Sequence, residues 1–244
     1  MKKTILILSV LAFIASGCGK ATKQQAETAN NESVVEQKEN TKAEDFVPND
    51  EKITEKIVGD LNKDGENDVV IITQQTKKSA FIINDGKKID RNRRGIIIAF
   101  KKENGYELAL RMPDCFDGEF TDDYQADGTT ISVKIENGKL NLHCTFGRYG
   151  IREYKFRYQN NAFELIGFDC TDRIEEDESI IFKTTSINFL TKKMKIKTDV
   201  IHWYGEEELT DTEETWYNIE VKKLATLTDI NFDKGNVNNF YKIK

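Results

Sequence analysis

Oxygen-bearing side chains fall at alternate positions in Asp60, Asn62 and Asp64, and Gly65, Glu66 and Asp68 follow. This order suits a hard cation, because calcium takes six to eight oxygens at about 2.3–2.6 Å and a short loop with alternating donors can wrap one ion. Gly65 would permit the sharp turn, Glu66 would offer its backbone carbonyl and Asp68 would close the ring. The same residues are also good turn formers without any ion. An EF-hand would need a bidentate Glu at the twelfth loop position, but that position is Ile71, and the run Val69-Val70-Ile71-Ile72 reads as a strand rather than a helix. An ion saturated by protein donors would pin the edge of a sheet and leave nothing to catalyse with.

Other residues with reactive chemistry are scattered. His143 and His202 lack metal-type spacing, and His143 falls on the polar parity of a strand. Cys144 falls on the apolar parity, whereas a reactive thiol needs an accessible, electropositive setting. Apart from Cys18, the cysteines are Cys115, Cys144 and Cys170; one disulfide with a free thiol and three free thiols are both open. The acids Asp114, Asp117, Glu119, Asp122 and Asp123 surround the Pro113–Phe116 loop. Paired acids could serve a glycosidase, but such a pair is defined by separation in space, and a solvated acidic loop is the plainer reading. Trp203, Tyr204, Trp216 and Tyr217 suit either a ligand-facing aromatic patch or a core. No Gly-x-Ser-x-Gly elbow, phosphate loop or His-Glu-x-x-His motif occurs.

Composition narrows the classes of function. Hydrophobic residues make up 38% and charged residues 32% of 244 residues, which suits one soluble globule and excludes a polytopic membrane protein. The formal net charge of -6 argues against a nucleic-acid partner, which would require a basic footprint. The basic cluster Lys87, Lys88, Arg91, Arg93 and Arg94 reads as a solvated loop. Acidic runs at Glu175–Glu178 and Glu206–Glu208 offset it.

The elements that must position these residues read as strands. Apolar and polar residues alternate through Tyr106–Met112, Ile131–Glu136, Lys139–Phe146 and Glu153–Tyr158, which places one face of an antiparallel sheet on a core. Asn104-Gly105, Asn137-Gly138 and Asn160-Asn161 sit where tight turns need positive φ. The spacing predicts hairpins over 95–112, 130–146 and 152–170, another over 186–196 turning at Thr191-Lys192-Lys193, and a strand through Tyr217, Ile219 and Val221. Ile96–Phe100 is apolar on both parities, as in a strand covered on both faces. Glu51–Val58 suits a helical turn or a strand. The expected fold is mainly β, an antiparallel meander of hairpins forming a sandwich, a rolled sheet or a propeller-like fan.

The N-terminus has a separate logic. Lys2 and Lys3 precede an apolar stretch from Ile5 to Ile14, which at about ten residues is shorter than the roughly 20 needed to span a bilayer and reads as a secretory signal. Ala15-Ser16-Gly17-Cys18 resembles the lipobox of bacterial lipoproteins, with Ala15 in place of the usual leucine. The resemblance implies cleavage before Cys18 and lipidation of its thiol, with acyl chains that together suffice for stable anchoring. From Gly19 to about Asp50 the chain is polar, with almost no large apolar residue before Phe46 and Val47. Such a segment buries too little surface to offset its ordering entropy, and about thirty flexible residues reach roughly 30 Å. The organisation read from this is a signal peptide over 1–17, a lipidated tether over 18–47 and one β-rich domain over 48–244.

The Asp60–Asp68 loop resembles the calcium loops of FG-GAP and VCBS-type repeats, which implies calcium held by Asp60, Asn62, Asp64, Glu66 and Asp68 between strands. Asp90–Gly95, Tyr106–Leu110, Phe156–Asn160, Phe163–Gly167 and Ser186–Leu190 resemble segments of an uncharacterised bacterial exported lipoprotein family, which implies no particular activity. The expectation is a lipid-anchored domain in the cell envelope, facing the periplasm or the exterior, that binds a protein or an envelope glycan. A carboxylate-dependent envelope hydrolase is the alternative. A concave pocket with two converging acids would favour the enzyme, and filled strand faces without one would favour binding.

Overall fold

Apolar side chains on both parities of a strand need cover on both sides, and the central strands of a four-stranded antiparallel sheet have it. A computed structural model describes residues 41–118, 129–146, 150–204, 207–235 and 237–244. The leader, Cys18 and most of the tether lie outside the described residues, as do Glu119, Asp122 and Asp123. All described residues fall in one compact unit. The first sheet contains β1 (Glu51–Gly59), β2 (Asp68–Gln75), β5 (Arg94–Lys102) and β6 (Gly105–Phe116), in the order β1-β2-β5-β6. One face of β2 and β5 sends Val70, Ile72, Ile96, Ile98 and Phe100 into the main core. The other face buries Val69, Ile71, Ile97 and Ala99 beneath Ala43, Phe46, Val47 and Tyr106.

Packing thus begins upstream of the expected domain boundary at residue 48. Ala43–Phe46 forms a short 3₁₀ turn with Ala43 1% exposed, and Lys56 pairs with Glu44 across it.

The second sheet is an eight-stranded antiparallel meander, β7 (Thr129–Glu136), β8 (Lys139–Phe146), β9 (Gly150–Gln159), β10 (Ala162–Glu176), β11 (Ser179–Asn188), β12 (Lys193–Tyr204), β13 (Glu207–Glu220) and β14 (Lys242–Ile243), paired in chain order. Its core face sends Leu140, Leu142, Tyr154, Phe156, Phe168 and Met194 against the first sheet's inner residues. A C-terminal segment covers the rest of that face with Leu227, Ile230 and Phe232. The Phe232 ring lies 4.8 Å from Phe116 and 5.1 Å from Tyr154, and Leu165 donates its N–H to the Ala225 carbonyl at 2.7 Å. The molecule is therefore a mainly β, antiparallel sandwich whose larger sheet stays open at its edges.

The turns explain the register. Asn137 and Gly138 both have positive φ (53° and 67°), as do Asn160 and Asn161 (53° and 58°), so two-residue loops match the strand twist in the β7–β8 and β9–β10 hairpins. The strict alternation expected along β6 fails at a bulge. Ile98 faces Leu110 while Ala99 faces Leu108, so Ala109 is an extra residue. Ala109, Leu110 and Met112 consequently pack on the main core, Leu108 is 39% exposed and Tyr106 serves the opposite face. The basic cluster read as a loop is partly a hairpin, β3 (Phe81–Asn84) with β4 (Lys87–Asp90), turning at Asp85-Gly86 with φ of 47° and 78°. Glu51–Val58, left open between helix and strand, is the strand β1.

Candidate functional site

The Asp/Asn loop joins β1 to β2 and is held by its own side chains. Asp60 accepts the N–H groups of Lys63 at 2.6 Å and Gly65 at 3.1 Å. Asn62 Oδ1 accepts the Asp64 N–H at 2.9 Å, its Nδ2 donates to Asp64 Oδ2 at 2.8 Å, and Asp64 Oδ1 accepts the Glu66 N–H at 2.8 Å. The last contact, with help from the Asn62 amide, holds the Asp64 carboxyl below the ordinary carboxylate range. Lys63 and Gly65 take positive φ (65° and 92°), which closes the turn.

Asp68 meets this turn through backbone N–H groups. It is 0% exposed beneath the turn; Oδ2 accepts Leu61 N–H at 2.8 Å and Asn62 N–H at 3.3 Å, and Oδ1 accepts Lys101 N–H at 3.0 Å. Burial pushes its carboxyl above the usual value against the pull of those three amides. Asp68 thus ties the loop to the β5–β6 end of the sheet. Among the described residues no three acidic, histidine or cysteine side chains converge to hold a metal. A cation on this loop could draw on Asp60, Asn62, Asp64 and the Glu66 carbonyl, because an oxygen that accepts one N–H keeps a second lone pair.

The remaining sequence candidates disperse. His143 lies on the outward face with Nδ1 2.9 Å from Glu153 Oε1, and His202 lies on β12, 3.7 Å from Asp211. Cys115, Cys144 and Cys170 are free thiols, and burial pushes them up to about 12, 12 and 11. Thiols that hard to ionise are poor nucleophiles near neutral pH. Two acids do approach each other: Arg93 pairs with Asp117 and, through Nη2, with both oxygens of Asp233 at 2.9 Å. Burial and Asp233 raise the Asp117 carboxyl, yet the guanidinium engages both acids and Nε donates to the Asp114 carbonyl at 2.9 Å. Arg94 Nε donates to the Asp117 carbonyl at 2.8 Å. These arginines clamp β5, the end of β6 and the C-terminal segment together. Lys88 lies over the Phe81 ring at 4.0 Å.

Sequence reasoning missed the outward face of the eight-stranded sheet. A hollow of about 570 Å³ there is lined by Lys139, Lys155, Arg157, Lys193 and Lys195, with Asp169 as its one carboxylate and Trp216 at one side. Trp216 is 61% exposed, whereas its neighbour Tyr217 turns to the core, so the expected aromatic group is split between faces; the side chains of Trp203 and Tyr204 lie outside the described residues. A second hollow of about 410 Å³, lined by Lys134, Asn141, His143, Glu153 and others, shares Lys155 with the first. The signal was present as lysines at alternate positions (193, 195, 197) and as Lys155 with Arg157. The missing information was which strands stand side by side.

No protein-family model, curated protein or solved structure matches the chain. Among the described residues, fold and site together define an antiparallel β-sandwich with one cation-lined face on its larger sheet.

Proposed function

We propose that the chain is a lipoprotein, anchored to a cell-envelope membrane through Cys18, whose β-sandwich binds a protein or an envelope glycan. The observation that supports binding is the contrast across the eight-stranded sheet, filled on one face and presenting a polar hollow on the other. Hollows of about 300–1,000 Å³ are typical ligand sites. The anchor rests on the leader and the lipobox-like Ala15–Cys18. Calcium enters the proposal as a structural ion on Asp60, Asn62, Asp64 and Glu66, with Asp68 bracing the loop from below.

Three measurements test this reading. Mass spectrometry of the native product should find a processed N-terminus with a diacylated Cys18; an intact Met1 or a bare thiol there removes the anchor. The native chain should be retained by isolated envelope material, and no retention with or without chelator contradicts the binding role. Calcium at about 100 times its dissociation constant should stabilise the fold by ~2.7 kcal/mol. That gain should vanish in Asp60→Ala and Asp64→Ala, and melting that ignores both calcium and chelator removes the ion.

One observation favours the hydrolase alternative, the raised Asp117 carboxyl beside Asp233. Arg93 between them argues for a clamp. Asp233→Asn should therefore lower stability, and a hydrolytic activity lost in that variant without a stability change would restore the enzyme reading.

A further inference from the structure

We propose that the outward face of the eight-stranded sheet binds an acidic polysaccharide laid across the strands, its repeated anionic groups meeting Lys134, Lys155 and Lys193 and a sugar ring stacking on Trp216. The inference rests on the binding reading above and narrows its ligand to one chemistry.

Pairing register puts these residues in line. Lys134 faces Asn141, Asn141 faces Lys155, Lys155 faces Gly167, Gly167 faces Asn188, Asn188 faces Lys193 and Lys193 faces Asn218. The row crosses β7 to β13 and contains ammonium and amide groups, one glycine and no carboxylate. Neighbouring strands are about 4.8 Å apart, and a monosaccharide in an extended chain advances by nearly the same distance. Lysines on β7, β9 and β12 therefore meet a charge on every second or third sugar, while Asn141 offers a hydroxyl partner and Asn188 and Asn218, whose carbonyl oxygens accept the Leu190 and Thr191 N–H groups and Lys193 Nζ, offer their amide N–H groups. A Cβ at Gly167 would sit 3.4 Å from Lys155 Cδ, so packing tolerates a side chain there, and its absence lowers the floor of the hollow.

The charge is segregated rather than average. The chain carries a net charge of -6, yet the larger hollow is lined by five cations and one carboxylate. Lys155 pairs with Asp169 at 2.9 Å and Lys195 with Glu214 at 3.3 Å, each through one of three ammonium donors, whereas among the described residues Lys139, Arg157 and Lys134 have no acidic partner within ion-pair distance. Arg157 Nε is buried and has no hydrogen-bond acceptor among the described residues. In the adjacent row Lys195 faces Trp216, with Nζ 5.6 Å from the ring centroid, and Trp216 Nε1 donates to Glu214 at 2.8 Å. The indole is thereby tethered at its nitrogen. An exposed, tethered indole beside cations presents a face for the C–H side of a sugar.

Sharing of Lys155 between the two hollows favours a chain over a small molecule. Glu136 and Glu153 line the second hollow beside the row and lower its tolerance for dense negative charge, so the face suits a polymer with widely spaced anionic groups better than duplex DNA, whose charges recur every ~1.7 Å along its axis.

The test uses the mature, full-length chain against immobilised polygalacturonate, a sugar-phosphate polymer, neutral dextran and polyglutamate. One of the two anionic sugar polymers should bind, which tells carboxylate from phosphate, and dextran should not. The Lys134→Gln/Lys193→Gln double variant should lose about tenfold in affinity with a shallower salt dependence. Trp216→Ala should lose about fivefold on the sugar polymer and nothing on polyglutamate. Lys87→Gln/Lys222→Gln, with the same charge change elsewhere, should bind as the parent does, and unchanged melting in every variant confirms folding. Failure of both anionic sugar polymers overturns the proposal, as does polyglutamate binding equally well with Trp216→Ala silent. If retention by whole envelope material survives that failure, only the ligand assignment falls; if retention is lost as well, the binding reading falls with it.

Discussion

β5 and β12 are both interior strands of antiparallel sheets, but they bury their side chains differently. β5 is buried without interruption from Gly95 to Phe100, because the eight-stranded sheet lies on one side and the Ala43–Val47 segment on the other. In β12, Met194 enters the core while Lys193 and Lys195 face outward. A strand covered twice has every position fixed by packing. A strand covered once leaves alternate positions free to carry charge and aromatic groups at small cost to the fold, and recognition chemistry can collect there.

The largest expected effect tests the doubly covered strands. Ile98→Ala should cost ~2–5 kcal/mol in urea unfolding, as deletions in filled cores do, and Ile97→Ala should cost a comparable amount if the second face is equally tight. A cost below ~1 kcal/mol for Ile97→Ala would break the comparison. Asp68→Asn should follow at ~2–3 kcal/mol, because an amide cannot accept from all three buried N–H groups that the carboxylate now serves.

Smaller effects sharpen the other side of the comparison. Asp229 accepts the N–H and hydroxyl of Thr226, both at 2.8 Å, fixing the turn that carries Leu227 onto the eight-stranded sheet. Asp229→Ala should cost ~1 kcal/mol near neutral pH. The Thr226 backbone N–H and hydroxyl hold the Asp229 carboxyl below its unfolded value of 3.8, so its contribution is present above that pH and is lost as pH falls through the lower folded value. The gap between parent and variant should close in acid, which unfolding curves across pH will report. Smallest of all, Trp216→Ala and Lys193→Gln should each change stability by less than ~0.5 kcal/mol. A larger loss would mean that the outward face holds the fold together.

The β7–β8 and β9–β10 hairpins were legible because strict alternation and Asn-rich turns agree on one register. The burial of β5 on both faces was legible for the opposite reason, every position from Ile96 to Phe100 being apolar. The Ala109 bulge left no compositional trace, so the parity predicted for β6 was right for Leu110 and Met112 and failed at Tyr106 and Leu108. The β3–β4 hairpin carried the strong Asp85-Gly86 turn signal, which the surrounding lysines and arginines masked. The β10–β11 turn at Asp177-Glu178 was hidden in the acidic run, so those strands are longer than the sequence suggested. For the loop site, Asp60, Asn62 and Asp64 were readable as a cluster. That Asp68 turns inward depends on Lys101, distant in sequence. The cationic row depends wholly on pairing, since Lys134, Lys155 and Lys193 share no local motif.

The most direct test is a lysine acetylation footprint of the mature chain with and without the anionic sugar polymer that it binds. Slower modification of Lys134, Lys155 and Lys193, with Lys87 and Lys222 unchanged, is the predicted result. Uniform slowing across all five lysines, or none at any of them, would contradict a ligand seated on the open face of the sheet.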